Sequence, residues 1–334
     1  MRALVTGAGG FLGAAITRQL LDADWSVRGF ARGDYPALEK LGVDMRRGDL
    51  ADETAVQQAA EGVDVVFHVA ALPGVWGSRD LYYRTNTVGT LNVINACRQH
   101  GVSKLVYTST PSVVHAGGNI EGADESLPYP ERYATHYPET KALAERAVLA
   151  ANDDTLATIA LRPHLIWGPG DNHLVPRILA RADQGRLRFV GRPSALVDSC
   201  FIDDAARAHR LAADALAPGA SCAGRAYFIS QGEPWPTDAL INGILNAAGR
   251  PPVSRYISAR LAWWIGLACE LVYTVLRRSA EPPMTRFVAE QLSTAHWYDI
   301  SAAARDFGFQ PKYSIEAGLE ALAESFNSGN KPGK

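Results

Sequence analysis

The chain has 334 residues, 47% of them hydrophobic and 20% charged, with a formal net charge of −2. Such a composition describes a soluble globular protein with one sizeable core and a smaller appended lobe, and it argues against disorder. The near-neutral balance supplies no basic field for a phosphate backbone, which sets nucleic acid aside as a partner. Cys97, Cys200, Cys222 and Cys269 are scattered, without C-x-x-C or a neighbouring His at ligand spacing, so a reduced intracellular protein without a metal site is expected.

Met1–Thr6 runs directly into a glycine motif and leaves no room for a signal peptide, which makes a cytoplasmic location the expectation. Short apolar runs predict strands at Arg2–Thr6, Ser26–Ala31, Asp44–Arg47, Val65–His68, Lys104–Thr108 and Thr158–Leu161. Amphipathic stretches between them predict helices at Phe11–Ala23, Thr54–Ala60, Thr85–His100 and Pro138–Asn152. Strands alternating with helices across short loops give an α/β fold, a doubly wound parallel sheet of the Rossmann type. Beyond Trp167-Gly168-Pro169-Gly170 the alternation fades and apolar helices dominate, although Arg207–Ala217 and Arg225–Ser230 read as a helix and strand returning to the sheet. The expected division is a dinucleotide-binding domain over 1–167, joined again by 200–230. A substrate-binding lobe over 168–199 and 231–326 and a flexible tail over 327–334 complete it.

The motif Thr6-Gly7-Ala8-Gly9-Gly10-Phe11-Leu12-Gly13 follows the first strand and opens the first helix. Gly7 permits the tight turn, Gly10 lets the backbone approach a pyrophosphate and Gly13 allows close packing of helix on strand. Phe11 and Leu12 complete the positive helix end that attracts the phosphates. About 20 residues further on, where an acidic side chain would bind a ribose 2′-hydroxyl, the sequence reads Val27-Arg28-Gly29-Phe30-Ala31-Arg32. Ala31 leaves space and Arg32 offers a fork for a 2′-phosphate, which favours NADP(H) over NAD(H); the alternative is that Asp34 takes the ribose. Asp49-Leu50 is placed to meet the adenine, unless Asp49 caps the helix beginning near Asp52. In His68-Val69-Ala70-Ala71, Ala70 and Ala71 are small enough for backbone to lie beside the adenine ribose.

Tyr137-Pro138-Glu139-Thr140-Lys141 sets a phenol and an ammonium four residues apart, on one face of a helix. Pro138 fits the first turn, which puts Tyr137 at the positive end of the dipole. With Lys141 nearby, the phenol's pKa is expected to fall toward working pH. Between the two motifs, Tyr107-Thr108-Ser109-Thr110-Pro111-Ser112 supplies hydroxyls at the carboxyl edge of the sheet. Asn86 reads either as an anchor behind the site or as a buried structural amide, and Asp203-Asp204 as helix capping.

These motifs, with Asn86-Thr87-Val88-Gly89-Thr90 and Leu161-Arg162-Pro163, resemble the extended short-chain dehydrogenase/reductase family over nearly the whole chain. The resemblance implies that Tyr137 is the general acid/base, that Lys141 holds the nicotinamide ribose and that Thr110 occupies the usual Ser/Thr position. It places Pro163 beside the nicotinamide carboxamide, and it implies a homodimer through Thr85–His100 and Pro138–Asn152. Thr110 stands where Ser is commoner, so Ser109 or Ser112 could share its role.

His136–Lys141 running on into Ala142–Asn152, together with Leu196-Val197-Asp198, is similar to the 3β-hydroxysteroid dehydrogenase-like branch. Within that branch Arg32–Pro36, Ala71–Trp76, Thr110–Val114 and Arg162–Asp171 resemble the bacterial 2-alkyl-3-oxoalkanoate reductases of long-chain olefin biosynthesis. That likeness implies a long-chain apolar β-keto acid as substrate and other enzymes of the same pathway as partners. It leaves His115, His136, His164 and Arg192 as candidates to hold the carboxylate. A sterol 3β-dehydrogenase and a non-catalytic NADP-binding scaffold are the alternatives. Leu261–Leu276 is overwhelmingly apolar, contains Glu270 and is shorter than the ~20 residues that span a bilayer. It reads as a wall for an apolar substrate, a peripheral membrane contact or a docking face for another protein.

Overall fold

The computed structural model describes residues 1–191, 194–278 and 280–328. Seven strands form the central sheet: β1 (Arg2–Thr6), β2 (Ser26–Ala31), β3 (Asp44–Arg47), β4 (Val65–His68), β5 (Lys104–Thr108), β6 (Ala157–Pro163) and β7 (Arg225–Ile229). They lie in the order β7, β6, β5, β4, β1, β2, β3, and every neighbouring pair is parallel. The winding reverses between β1 and β4, where Thr6 is in register with His68. The carboxyl ends of strands at such a reversal open the crevice in which doubly wound sheets bind ligands.

The helices used below are α1 (Phe11–Asp22), α2 (Glu53–Ala60), α3 (Gly89–Gln99), α4 (His136–Ala150), α5 (Ile202–Ala215), α6 (Ala259–Val275) and α7 (Arg286–Gln291). Both faces of the sheet are covered at its centre, which is why β1, β4, β5 and β6 read as nearly continuous apolar runs, whereas the edge strand β3 is partly exposed. Ala3, Val5, Val65, Phe67 and Val106 pack with residues of α1 and α5 on one side. Leu4, Val66, Leu105 and Tyr107 pack with residues of α2, α3 and α4 on the other.

The helix expected over Thr85–His100 is longer and irregular. It begins as a turn at Arg79–Tyr82, widens into a π-helical segment at Tyr83–Val88 and continues as α3. The wide segment carries Asn86, whose Oδ1 accepts from the Leu72 amide and whose Nδ2 donates to Thr140 Oγ1. A smaller sheet joins Trp235–Pro236, Leu196–Val197, His296–Tyr298 and Ile120–Ala123, so segments distant in sequence meet beside the carboxyl ends of β5 and β6. Asp203 and Asp204 do not cap α5 through their side chains. Asp204 instead accepts from the Lys312 and Tyr313 amides and from Gln231, tying the C-terminal segment to the sheet.

Candidate active site

Gly7 takes φ +70°, and a Cβ there would lie 2.9 Å from Ala70 Cα. A Cβ on Gly13 would overlap the Gly7 carbonyl oxygen, so β1, the turn and α1 meet only because that position is glycine. Gly10, the residue before α1, offers no side-chain cap to the helix. The free N–H groups of the first turn face a cleft of about 440 Å³ lined by Gly7, Gly10, Phe11, Leu12 and Gly13. The same cleft is bordered by Ala31, Arg32, Asp49, Leu50, Ala70, Ala71, Tyr137 and Lys141. Uncapped amides beside a turn that excludes side chains fit a dinucleotide pyrophosphate.

Arg32 borders the cleft, while Asp34 pairs with Arg47 at 3.5 Å outside it. Asp49 does not cap α2; Asp52 does, through the Ala55 amide. The Asp49 carboxylate accepts from the Ala51 amide at the edge of the cleft. Pro163 ends β6 buried and in register with Ile229, and it is absent from the residues bordering the cleft. Tyr35, which also lines the cleft, lies across Gly9 so closely that a Cβ there would overlap its ring.

Lys141, 2% exposed, reaches over the Tyr107 ring at 4.1 Å and donates to the Thr108 carbonyl at 2.6 Å. Burial pushes its pKa down to about 7, opposed by the Glu145 charge one helical turn on. Tyr137 shares a side-chain hydrogen bond with Thr110, whose Oγ1 also contacts Ser112 Oγ at 3.0 Å. The expected fall in the phenol's pKa is not found. Burial pushes Tyr137 up to about 12, outweighing the lowering by Thr110, while Lys141 is engaged by the Thr108 carbonyl.

A buried relay fixes the sheet edge beneath these groups. Thr90 Oγ1 donates to the Asn86 carbonyl at 2.6 Å and therefore accepts from His68 Nε2, 2.9 Å away. This leaves His68 Nδ1 as the acceptor of the Thr6 hydroxyl at 2.8 Å, and Thr6 Oγ1 accepts in turn from the Val69 and Ala70 amides. Burial holds the His68 pKa near 3, so the ring is neutral and this tautomer persists at physiological pH.

A second cavity, of about 960 Å³, lies beyond Tyr137. Its walls include Val75, Trp76, Leu81 and Tyr82 from the first half of the chain, His136, and Trp263, Tyr273 and Phe287 from the second. Of the carboxylate candidates among the described residues, only His136 lines it. His115 and His164 instead form edge contacts with His296, at centroid distances of 4.9 and 6.3 Å. Burial holds His164 near pKa 3 and lowers His115, which leaves both neutral and ill-suited to pairing with an anion. Arg192 lies outside the described residues.

Residues 4–258 match the 3-beta hydroxysteroid dehydrogenase/isomerase family. The chain belongs to this family. It is a nicotinamide-dependent oxidoreductase acting on a CH–OH/C=O pair. It is 56% identical over 328 residues to 2-alkyl-3-oxoalkanoate reductase of Stenotrophomonas maltophilia, covering 97% of this chain and 99% of that one. To sterol-4-alpha-carboxylate 3-dehydrogenase, decarboxylating, of Mus musculus it is 34% identical, over 97% and 90% of the two chains. Among solved structures, UDP-glucose 4-epimerase of Thermus thermophilus in complex with NAD superposes with a TM-score of 0.74 at 26% identity, covering 98% and 99%.

Three features of this 3-beta hydroxysteroid dehydrogenase/isomerase family member escape sequence reasoning. Tyr82 joins the apolar cavity and acts on the Tyr137 phenol, but no spacing rule connects them. Tyr35 closes over Gly9 only after a bend at Arg32 and Gly33. Glu145 and Arg162, 0% and 3% exposed, form a bidentate pair at 2.6 and 3.0 Å that joins the helix of Tyr137 and Lys141 to the strand ending at Pro163. A Glu one turn after Lys141 was the only available signal for that pair.

Proposed function

We propose that this chain reduces a long-chain 2-alkyl-3-oxoalkanoate to the 2-alkyl-3-hydroxyalkanoate with NADPH, Tyr137 donating the proton. The observation that carries the reading is the position of Tyr137 at the junction of two cavities. It lines the cleft of the glycine turn with Lys141, while its neighbours His136 and Tyr82 line the larger, predominantly apolar cavity. The 56% identity to a 2-alkyl-3-oxoalkanoate reductase supports the same substrate class.

NADPH, when bound, supplies the hydride that the carbonyl carbon takes up. Gly7, Gly10, Phe11, Leu12 and Gly13 would hold its pyrophosphate, Arg32 the 2′-phosphate, and Asp49, Leu50, Ala70 and Ala71 the adenosine. Lys141 would hold the nicotinamide ribose. Thr110 orients the substrate oxygen and the Tyr137 phenol, which gives its proton to the alkoxide as that forms. A phenol with its pKa pushed up to about 12 stays protonated at neutral pH, which suits reduction better than oxidation. Residues 168–199 and 231–326 shape the substrate lobe. Exposed Leu91 on α3 and Leu143 on α4 support pairing of two copies through those helices.

The test compares oxidation of NADPH and NADH in the presence of a 2-alkyl-3-oxoalkanoate with reduction of NAD+ and NADP+ by a 3β-hydroxysterol. Turnover of the keto acid with preference for NADPH is expected. Turnover of the sterol alone would overturn the substrate assignment, and equal use of NADH would overturn the role of Arg32.

A further inference from the structure

We infer that α6 is a membrane-surface helix that lies flat on an anionic bilayer and brings the mouth of the apolar cavity to the lipid. Eight large apolar side chains on α6 and its C-cap are exposed: Leu261, Trp263, Trp264, Ile265, Leu271, Val272, Val275 and Leu276. They are half of the 16 exposed large apolar residues described, gathered on a single helix, whereas scattered ones need no explanation.

The pattern has helical spacing. Ala262, Gly266 and Glu270 face inward, and Leu261, Trp264, Leu271 and Val275 face out. A Cβ on Gly266 would come within 2.6 Å of the Thr285 and Arg286 backbone, and Glu270 accepts from the Arg286 amide at 2.7 Å. The inner face is thereby fixed against the start of α7. A helix so held cannot cross a bilayer, and 17 residues rise only about 26 Å. The remaining geometry is burial of the outer face in the interface, with the two tryptophans at headgroup depth.

The charge pattern selects a lipid surface over a second copy of the chain. Arg260, Arg277 and Arg278 flank the apolar face and are exposed, while the helix's one acid, Glu270, is bonded to Arg286. Two such faces brought together would oppose basic groups, whereas an anionic headgroup layer neutralises them. The same helix contributes Trp263, Glu270, Tyr273 and Thr274, and the turn that follows it Arg277 and Arg278, to the cavity that Tyr82 and His136 also line. A long-chain substrate dissolved in lipid could then enter without crossing water.

The experiment is co-sedimentation of the full-length protein with phosphatidylcholine vesicles, with and without phosphatidylglycerol, at low and high salt. It needs no substrate, so its outcome is separate from that of the ketoreductase assay. Binding is expected with phosphatidylglycerol present, weakened but not abolished by salt, because the apolar contact is unscreened. Trp emission should shift to the blue. Leu271→Glu/Val275→Glu changes two exposed positions that line neither cavity, and it should lower vesicle affinity at least ~100-fold while leaving turnover of a short soluble substrate unchanged. Failure of the wild type to bind phosphatidylglycerol vesicles would overturn the inference. So would oligomers that Leu271→Glu/Val275→Glu dissolves while vesicle affinity stays the same.

Discussion

Removing the Glu145 charge leaves the Arg162 guanidinium, 3% exposed, between the Tyr129 and Phe228 rings without its bonded anion. Glu145 also accepts from the Tyr129 hydroxyl at 2.6 Å, so one substitution orphans two donors. Breaking a buried pair from one side costs about 3–5 kcal/mol, whereas replacing both partners with apolar groups of similar volume costs far less. Glu145→Leu should therefore lose stability on that scale in urea unfolding followed by circular dichroism. Arg162→Met should lose a similar amount, and the double variant should recover most of either loss. Because Glu145 is also the charge that holds up the Lys141 pKa, Glu145→Leu should move any titration of Lys141 to lower pH. A cost of Glu145→Leu below about 1 kcal/mol, or a double variant equal to the sum of the singles, would refute the reasoning.

Arg32→Ala should weaken NADPH binding at least ~10-fold and leave NADH nearly unchanged in fluorescence titration, since only the 2′-phosphate contact is lost; equal losses would defeat that role. Gly13→Val drives a branched side chain into the Gly7 carbonyl, so a cooperative fold with cofactor affinity at the wild-type level would contradict the packing described. Lys141 has a folded pKa of about 7 against an ordinary 10.5, so between these values the unfolded chain binds the extra proton. Its burial penalty is fully present below pH 7 and is lost as pH rises toward 10.5, so stability should rise with pH there and Lys141→Met should flatten the rise. Parallel pH–stability curves for wild type and Lys141→Met would exclude the burial penalty.

The strands β1, β4 and β5 were legible to the residue because a sheet centre buried on both faces leaves short apolar runs cut off by Gly, Asp and Ser, and the glycine turn marks its own position. β3, a partly exposed edge strand of sequence DMRR, is not such a run. Thr110, Tyr137 and Lys141 converge because they lie on the strand edge and helix end that such a sheet sets side by side. The tyrosine's titration was misjudged because spacing shows which charges are near but not how dry the site is. Desolvation of Tyr137 exceeded every charge counted from the sequence. Thr6, His68 and Thr90 looked like ordinary strand and helix residues, and only the close approach of β1, β4 and α3 makes them a relay. The smaller sheet was missed because Leu196–Val197 and Trp235–Pro236 are two residues each, too short to show a period.

The central claim is that Tyr137 supplies the proton in a cofactor-dependent ketone reduction. It is tested most directly by single-turnover oxidation of NADPH with a 2-alkyl-3-oxoalkanoate in wild type and Tyr137→Phe, with NADPH affinity measured alongside. The account predicts a rate lowered at least ~10²-fold with NADPH affinity essentially unchanged. An unchanged rate, or a loss of rate fully matched by a loss of cofactor binding, would contradict it.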